Sequence, residues 1–271
     1  MPPSSLAPQL ADWLAREQAG GVHVVGINGA QGSGKSTLAT ALVQALAARY
    51  GLRAVVLSLD DLYLTHAERQ ALAHTVHPLF ATRGVPGTHD VVLGTRLLDE
   101  LPHLGSGATL ALPQFLKLAD DRAPPERWAQ VTGPVDLVLF EGWCVATPPQ
   151  AEAALATPVN ALERMQDSDG RWRRAVNTHL ATNYAVLFRR VQRLIFLAAP
   201  GFGCVVDWRL EQEATTATRE PGRALSHTEI EVFVAYYERL TRHALATLPH
   251  TADVVVQLTP ARTLQALESR R

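Results

Sequence analysis

The segment 22–36, VHVVGINGAQGSGKS, decides the fold. Its first half is mostly apolar and rich in β-branched side chains, which is typical of a buried strand. Residues 29–36 then match the pattern G-x-x-x-x-G-K-[ST] in full. Leu38, Leu42 and Leu46 recur at i+4 spacing and predict a helix that ends near Tyr50. Strand, glycine-rich loop and helix follow in the order of a phosphate-binding loop (P-loop).

The residue types of this loop suit a polyphosphate. Its glycines allow a tight backbone turn, so that successive N–H groups and the helix N-terminus face one anion. Lys35 can reach the β- and γ-phosphates, and the Ser36 hydroxyl can bind Mg²⁺. A glycine-rich turn in an unrelated α/β domain would leave this Lys-Ser pair unexplained. The predicted nucleotide-binding residues are Gly29, Ala30, Gln31, Gly32, Ser33, Gly34, Lys35, Ser36 and Thr37.

Composition limits the class of protein. The chain has 271 residues, a net charge of −1 and 47% hydrophobic residues, enough for one large core. The charge balance gives no basic field for nucleic acid or an anionic membrane, and charged residues interrupt every apolar run. The N-terminal residues lack the pattern of a signal peptide, and Cys144 and Cys204 are too few for a disulfide framework. We therefore expect a single cytoplasmic domain, residues 1–271, with neither nucleic-acid nor membrane partners.

Lysine is rare in this chain. Of 25 basic residues, only Lys35 and Lys117 are lysines. Arginine replaces lysine poorly where a compact point charge is needed, and the P-loop is such a position. Lys117 is therefore a second candidate, with a chance surface lysine as the alternative.

Acidic residues follow two apolar segments that read as strands. Residues 54–59 are followed by Asp60, Asp61, Leu62 and Tyr63, and residues 135–140 are followed by Glu141. The carboxyl ends of parallel strands form the ligand edge of such a sheet. A helix cap explains one of the two aspartates but not both. An acidic residue at the end of the second of these strands suits the Mg²⁺ side of a P-loop site.

Three less regular segments carry polar residues. Residues 83–90, RGVPGTHD, form a constrained loop in which Asp90 could also be a helix cap. Residues 104–134 read as an irregular insertion that holds Lys117 and Arg122 and suits a small-molecule pocket, although a solvated loop explains it nearly as well. Residues 205–225 read as a lid-like segment with Arg219 and Arg223, the alternative being a flexible linker.

Further strands are predicted at 194–198 and 253–258, a helix at 176–193, a helix capped by Ser226 and Glu229, and a last helix at the end of the chain. Five buried strands separated by helical segments predict an α/β fold with a parallel sheet and helices on both faces.

With these residues assembled, the chain resembles the P-loop kinases of the uridine kinase, phosphoribulokinase and pantothenate kinase group. Within that group it is most similar to plant-type D-glycerate 3-kinase and its bacterial and fungal relatives. The resemblance rests on residues 29–36, 58–63, 83–90, on Lys117 with residues 120–122, on residues 141–144 and on Trp208-Arg209-Leu210. It implies a five-stranded sheet in the order 2-3-1-4-5, ATP and Mg²⁺ as cofactors, and a small hydroxy acid as the acceptor.

The resemblance also implies roles for individual residues. Asp60 would be the catalytic base, assisted by Lys35 and Arg209, and Ser36 and Glu141 would hold the metal. The substrate-binding residues would be Asp61, Tyr63, Arg83, His89, Asp90, Lys117 and Arg122. Leu116 departs from the pattern, because the relatives tend to carry Asp before the lysine.

Other functions remain open. A kinase of the same group acting on a nucleoside, pantothenate or a sugar would show the same P-loop, as would a non-catalytic ATP-dependent binding protein. A regulatory GTPase usually reads guanine through N-K-x-D, and neither lysine of this chain follows an asparagine. Together with the resemblance, this leads us to expect an ATP-dependent kinase that makes 3-phosphoglycerate.

Overall fold

The computed structural model describes residues 1–219 and 226–270. Strand β1 (Val24–Gly29) is buried along its whole length and leads into the P-loop. Helix α2 (Lys35–Tyr50) begins after Gly34, whose φ of 89° lies in the left-handed region. It ends at Gly51, where a φ of 65° closes the helix through hydrogen bonds to the carbonyls of Leu46 and Ala47. The predicted strand, loop and helix are confirmed.

In the described part of the chain, the central sheet has six strands. Beside β1 it contains β2 (Ala54–Ser58), β7 (Leu137–Gly142), β8 (Arg193–Ala198), β9 (Val254–Leu258) and β10 (Leu264–Ser269). Their spatial order is β10-β9-β8-β1-β7-β2, and every pairing is parallel except that of β10 with β9. Numbered among themselves along the chain, the five parallel strands lie in the order 2-3-1-4-5.

The end of the chain corrects the prediction. Residues 264–269 form strand β10, not the expected helix, and the sheet therefore has six strands rather than five. These residues have adequate helix propensity, but β10 pairs with the apolar strand β9 and so covers its otherwise open edge. The reversal at Arg262, with a φ of 55°, makes this hairpin.

The two faces of the sheet are buried by different helices. Alternate residues of β7 illustrate this, because Leu137 and Leu139 belong to the core under α1 (Ala7–Ala19) and α2, whereas Val138 and Phe140 belong to the opposite core. That second core is closed by α4 (Val91–Glu100), α6 (Arg171–His179) and α7 (Ala185–Phe188).

The helix that was predicted at 176–193 is divided in the structure. A π-helical turn, Leu180–Tyr184, separates α6 from α7, and α7 ends before β8 begins.

Four further α-helices lie in the described ranges. They are α3 (His66–Thr75), α5 (Ala161–Gln166), α8 (Phe202–Arg219) and α9 (His227–Thr247), the last begun by the expected capping box of Ser226 and Glu229. The predicted lid-like segment overlaps α8. The side chain of Arg219 and all of Arg223 lie outside the described residues, so their predicted role has no structural account. No helix in the described ranges is long and apolar enough to cross a membrane.

The insertion at 104–134 is more regular than predicted. It contains two small antiparallel sheets, β3 (Thr109–Leu112) with β6 (Ala129–Thr132), and β4 (Phe115–Leu116) with β5 (Asp121–Arg122). Lys117 lies in the turn between β4 and β5, which projects over the ligand edge of the main sheet.

Candidate active site

The P-loop presents unpaired donors at the start of α2. Gly34 provides no side-chain cap, so the N–H groups of the first helical turn remain available to a ligand. Gly32 and Gly34 both have positive φ, which curls the loop around this point. On its outer side, Ser33, Gly34 and Thr37 line a crevice of about 350 Å³ together with residues 261–263. The loop is built to receive an anion.

A second group of polar residues meets beside the P-loop. Strands β2 and β7 are paired in parallel, with Ser58 opposite Glu141. Glu141 is buried, and its Oε1 accepts hydrogen bonds from the Ser36 hydroxyl at 3.0 Å and the Ser58 hydroxyl at 2.8 Å. Its Oε2 is buried without a hydrogen-bond partner, and the Lys35 Nζ is 4.0 Å away.

This donor set fits Mg²⁺. A free carboxylate oxygen and a hydroxyl lie together at the mouth of the P-loop, and Mg²⁺ usually takes one or two protein oxygens plus phosphates and water. Among the described residues, no group of three or more His, Cys, Asp or Glu side chains is placed to hold a metal ion.

Asp60 lies at the carboxyl end of β2, in the 3₁₀ turn Leu59–Leu62. Its Oδ1 accepts a hydrogen bond from the Tyr63 hydroxyl at 3.0 Å, and its Oδ2 is 3.0 Å from the Lys117 Nζ. Burial opposes ionisation of Asp60, but Lys117 and Lys35 and the two hydrogen bonds outweigh it and hold the pKa of Asp60 at about 2. Asp60 is therefore a carboxylate at neutral pH.

Arg83 lines the same central cavity as Asp60 and is held there by Asp120. The Asp120 carboxylate pairs with the guanidinium of Arg83 and accepts a hydrogen bond of 2.8 Å from the fully buried Arg69. The Arg83 guanidinium also lies 5.4 Å from the centre of the Phe115 ring. Asp120 thus joins the turn that carries Lys117 to the loop that carries Arg83.

Arg209 reaches the cavity from α8. Its guanidinium lies 5.3 Å from the centre of the Phe233 ring on α9. The preceding residue, Trp208, is buried and donates a hydrogen bond of 2.6 Å from Nε1 to the carbonyl of Pro260. The start of α8 is therefore anchored to the loop after β9, and this anchor orients Arg209.

Four predicted substrate-binding residues form the wall behind the cavity. Asp61 accepts a hydrogen bond from the backbone N–H of Phe115, and Asp90 caps α4 through the N–H of Leu93. Arg122 pairs with Asp90 at 3.2 Å and donates to the carbonyl of Tyr63 at 2.8 Å. The buried His89 stacks on Tyr63, with 4.5 Å between ring centres. Direct substrate contact by Asp61, His89, Asp90 and Arg122 stays a prediction.

Nine of the predicted residues line one central cavity of about 200 Å³, whereas Ser33, Gly34 and Thr37 line the outer crevice. The central cavity is lined by Gln31, Gly32, Lys35, Ser36, Asp60, Tyr63, Arg83, Lys117 and Arg209. Both lysines of the chain are in this group.

Sequence reasoning missed three aromatic residues that line the same cavity, Trp143, Phe233 and Tyr237. Trp143 lies two residues after the predicted metal ligand Glu141, and this closeness could have identified it as a site residue. Phe233 and Tyr237 lie on the inward face of α9, where the pattern does not distinguish a core residue from a cavity residue.

Two proteins with similar sequences are named as kinases. The uncharacterized kinase mug58 of Schizosaccharomyces pombe is 34% identical over 249 residues, which cover 86% of this chain and 87% of that protein. The chloroplastic D-glycerate 3-kinase of Arabidopsis thaliana is 31% identical over 83% of this chain, which spans only 48% of that relative. A family model described as methylmalonyl Co-A mutase-associated GTPase MeaB matches residues 4–63.

Among solved structures, the D-glycerate 3-kinase of Cryptococcus neoformans var. grubii superposes with a TM-score of 0.83 at 24% identity, covering 97% of this chain and 99% of that one. That likeness concerns the fold. The identity to the fission-yeast kinase over nearly its full length shows common family membership, and the plant enzyme is a further relative. The chain therefore belongs to the same family of P-loop kinases as the fission-yeast protein, and it is also similar to the plant D-glycerate 3-kinase.

Proposed function

We propose that this protein is an ATP-dependent kinase that phosphorylates D-glycerate to 3-phosphoglycerate. One observation carries the proposal. The Asp60 carboxylate lies in a cavity that is bordered by the P-loop residues Lys35 and Ser36 and also by the cations Lys117 and Arg83. A phosphate donor and a negatively charged acceptor can therefore meet at one carboxylate.

The donor side is the P-loop. Residues 29–37 would bind the triphosphate of ATP through backbone N–H groups, with Lys35 on the outer phosphates. The crevice beside Thr37 leaves room for the nucleoside part. Ser36 and Glu141 would hold Mg²⁺, which when bound neutralises charge on the phosphates. The MeaB match covers this common segment only, and without an N-K-x-D motif it gives no argument for GTP.

The acceptor side is the cationic part of the cavity. Lys117 and Arg83 would bind the carboxylate of a hydroxy acid, and this places its hydroxyl beside Asp60. The hydroxyl oxygen forms a bond to the γ-phosphorus as the bond to the β–γ bridging oxygen breaks. Asp60 accepts the hydroxyl proton, ADP leaves, and Arg209 stabilises the charge that develops on the transferred group.

The comparisons support the choice of acceptor. Two of the relatives are named D-glycerate 3-kinases, one by sequence and one by fold. The cations around Asp60 suit glycerate better than an uncharged nucleoside or sugar.

The test is ADP release by the purified protein with Mg-ATP, with and without D-glycerate. We expect strong stimulation by D-glycerate and 3-phosphoglycerate as the product. Pantothenate, glycerol, a nucleoside and a sugar serve as competing acceptors in the same assay. Greater stimulation by any of these would contradict the proposed acceptor, and no stimulation by any hydroxyl compound would contradict a kinase.

A further inference from the structure

Both carboxylate oxygens of Asp60 have partners in this structure. Oδ1 accepts the hydrogen bond from Tyr63, and Oδ2 faces the Lys117 ammonium, each at 3.0 Å. Each carboxylate oxygen can accept two hydrogen bonds, so one position on each is filled here, and the positive charge beside Oδ2 weakens that oxygen as a proton acceptor. Asp60 therefore becomes a stronger base toward an attacking hydroxyl when one of these two donors leaves.

Tyr63 is the fixed partner. Its side chain is buried, its ring stacks on His89 with 4.5 Å between ring centres, and it meets Phe115 edge-on at 5.1 Å. Moving the Tyr63 hydroxyl would disturb both ring contacts.

Lys117 is the displaceable partner. It lies in the short turn between β4 and β5, and its side chain is 62% exposed. Its four-carbon chain lets the ammonium swing while the turn stays in place. Lys117 and Arg83 line the same cavity, so an acceptor carboxylate bound by Arg83 would compete directly with Asp60 for this ammonium.

We propose that Lys117 is a substrate-operated guard on Asp60: it occupies Oδ2 until the carboxylate of the acceptor draws it away, and it thereby keeps the enzyme from transferring phosphate to water. This inference rests on the proposed function and adds the regulation of its base. The acceptor carboxylate then both anchors the substrate and releases the base.

The reaction that the guard suppresses is ATP hydrolysis. A water oxygen would bond to the γ-phosphorus, the bond to the β–γ bridging oxygen would break, and Asp60 would take the water proton, giving ADP and inorganic phosphate. Water in the cavity would meet the same base as the acceptor, so keeping this base engaged until the acceptor arrives would limit the hydrolysis of bound ATP.

The experiment compares ADP release without acceptor for wild type, Lys117→Met, Lys117→Arg and the double variant Lys117→Met with Asp60→Asn. Methionine keeps most of the length of lysine but not its charge, whereas arginine keeps the charge. We expect acceptor-free hydrolysis to rise several-fold in Lys117→Met, to stay low in Lys117→Arg, and to return to the wild-type level in the double variant. Turnover of glycerol, which has no carboxylate, should rise in Lys117→Met as well.

Two results would overturn the guard. Unchanged hydrolysis in Lys117→Met, together with a raised KM for D-glycerate, would mean that Lys117 only binds the carboxylate. A rise that persists in the double variant would mean that Asp60 is not the group released. ATP binding by each variant checks that it is folded, and Lys117→Gln is the second neutral variant.

The guard and the proposed function fail separately. If D-glycerate does not stimulate the wild type but Lys117→Met still hydrolyses ATP faster through Asp60, the guard stands and the acceptor assignment falls.

Discussion

Trp208 of α8 packs directly against Gly32 of the P-loop. A Cβ added to Gly32 would lie 2.6 Å from the Cβ of Trp208, closer than packed atoms allow. The φ of Gly32 is 76°, so its backbone also favours glycine. Glycine is therefore required at position 32 for two reasons: the backbone conformation there, and the close packing of the helix that carries Arg209.

The first prediction separates these two requirements. Gly32→Ala should lower stability and weaken ATP binding strongly, because the new methyl group pushes Trp208 and the loop apart. Gly51→Ala is the matched control, since Gly51 has a φ of 65° but nothing within 4 Å of an added Cβ. It should cost about 1 kcal/mol of backbone strain and leave ATP affinity unchanged. Urea unfolding and ATP titration measure both quantities.

Equal loss of ATP affinity in the two variants would contradict this account, because backbone strain far from the loop would then have the same effect as the clash with Trp208.

The second prediction concerns Mg²⁺. Glu141→Gln keeps the shape of the side chain but removes the charge of the buried oxygen that has no hydrogen-bond partner. We expect the Mg²⁺ concentration needed for half-maximal ATP turnover to rise by about tenfold or more. Ser58→Ala removes one hydrogen bond to Glu141 and keeps the carboxylate, so its Mg²⁺ requirement should change much less. An unchanged requirement in Glu141→Gln would exclude Glu141 from the metal site.

The third prediction is a pH dependence of stability from His89. Burial lowers the pKa of His89 from 6.5 to about 3, although the Asp60 charge opposes this. Below its ordinary pKa the unfolded chain binds a proton that the folded chain does not, so the free energy of unfolding falls with falling pH. The slope contributed by His89 is about 1.4 kcal/mol per pH unit.

Asparagine suits as a replacement because its amide can take the place of the His89 Nδ1, which lies 2.5 Å from the Tyr184 hydroxyl. His89→Asn should therefore flatten the loss of stability in urea unfolding between about pH 6 and about pH 5. The exposed His74, changed to Gln, is the control and should keep the wild-type slope. Identical slopes for wild type and His89→Asn would show that His89 is protonated in the folded state.

The fold was largely predictable because its signals are local. Strand β1, the P-loop and α2 each carry their own sequence pattern, and the acidic residues mark where β2 and β7 end. Strand β10 was not predictable in this way, because its structure depends on a partner, β9, and not on its own pattern. The division of α6 and α7 by a π turn likewise depends on packing rather than on spacing.

The candidate site was predictable in its chemistry but less so in its geometry. Because the chain has only two lysines, Lys117 was a candidate site residue, and the structure places its ammonium against Asp60. Whether a polar residue faces the cavity or supports its wall depends on contacts across the fold. Arg122 and His89 illustrate this, because their polar atoms contact the backbone of Tyr63 and the hydroxyl of Tyr184. These contacts join residues that are far apart in the sequence, so no local sequence pattern predicts them.

The most direct test of the central claim is the turnover of Asp60→Asn with saturating Mg-ATP and D-glycerate, measured alongside its ATP affinity. Asp61→Asn is the matched neighbour, because its amide oxygen can still accept the hydrogen bond from Phe115. We predict that Asp60→Asn binds ATP as wild type does but forms 3-phosphoglycerate about 10²- to 10⁴-fold more slowly, while Asp61→Asn stays within about tenfold of wild type. Wild-type turnover in Asp60→Asn would contradict the claim that this carboxylate is the base.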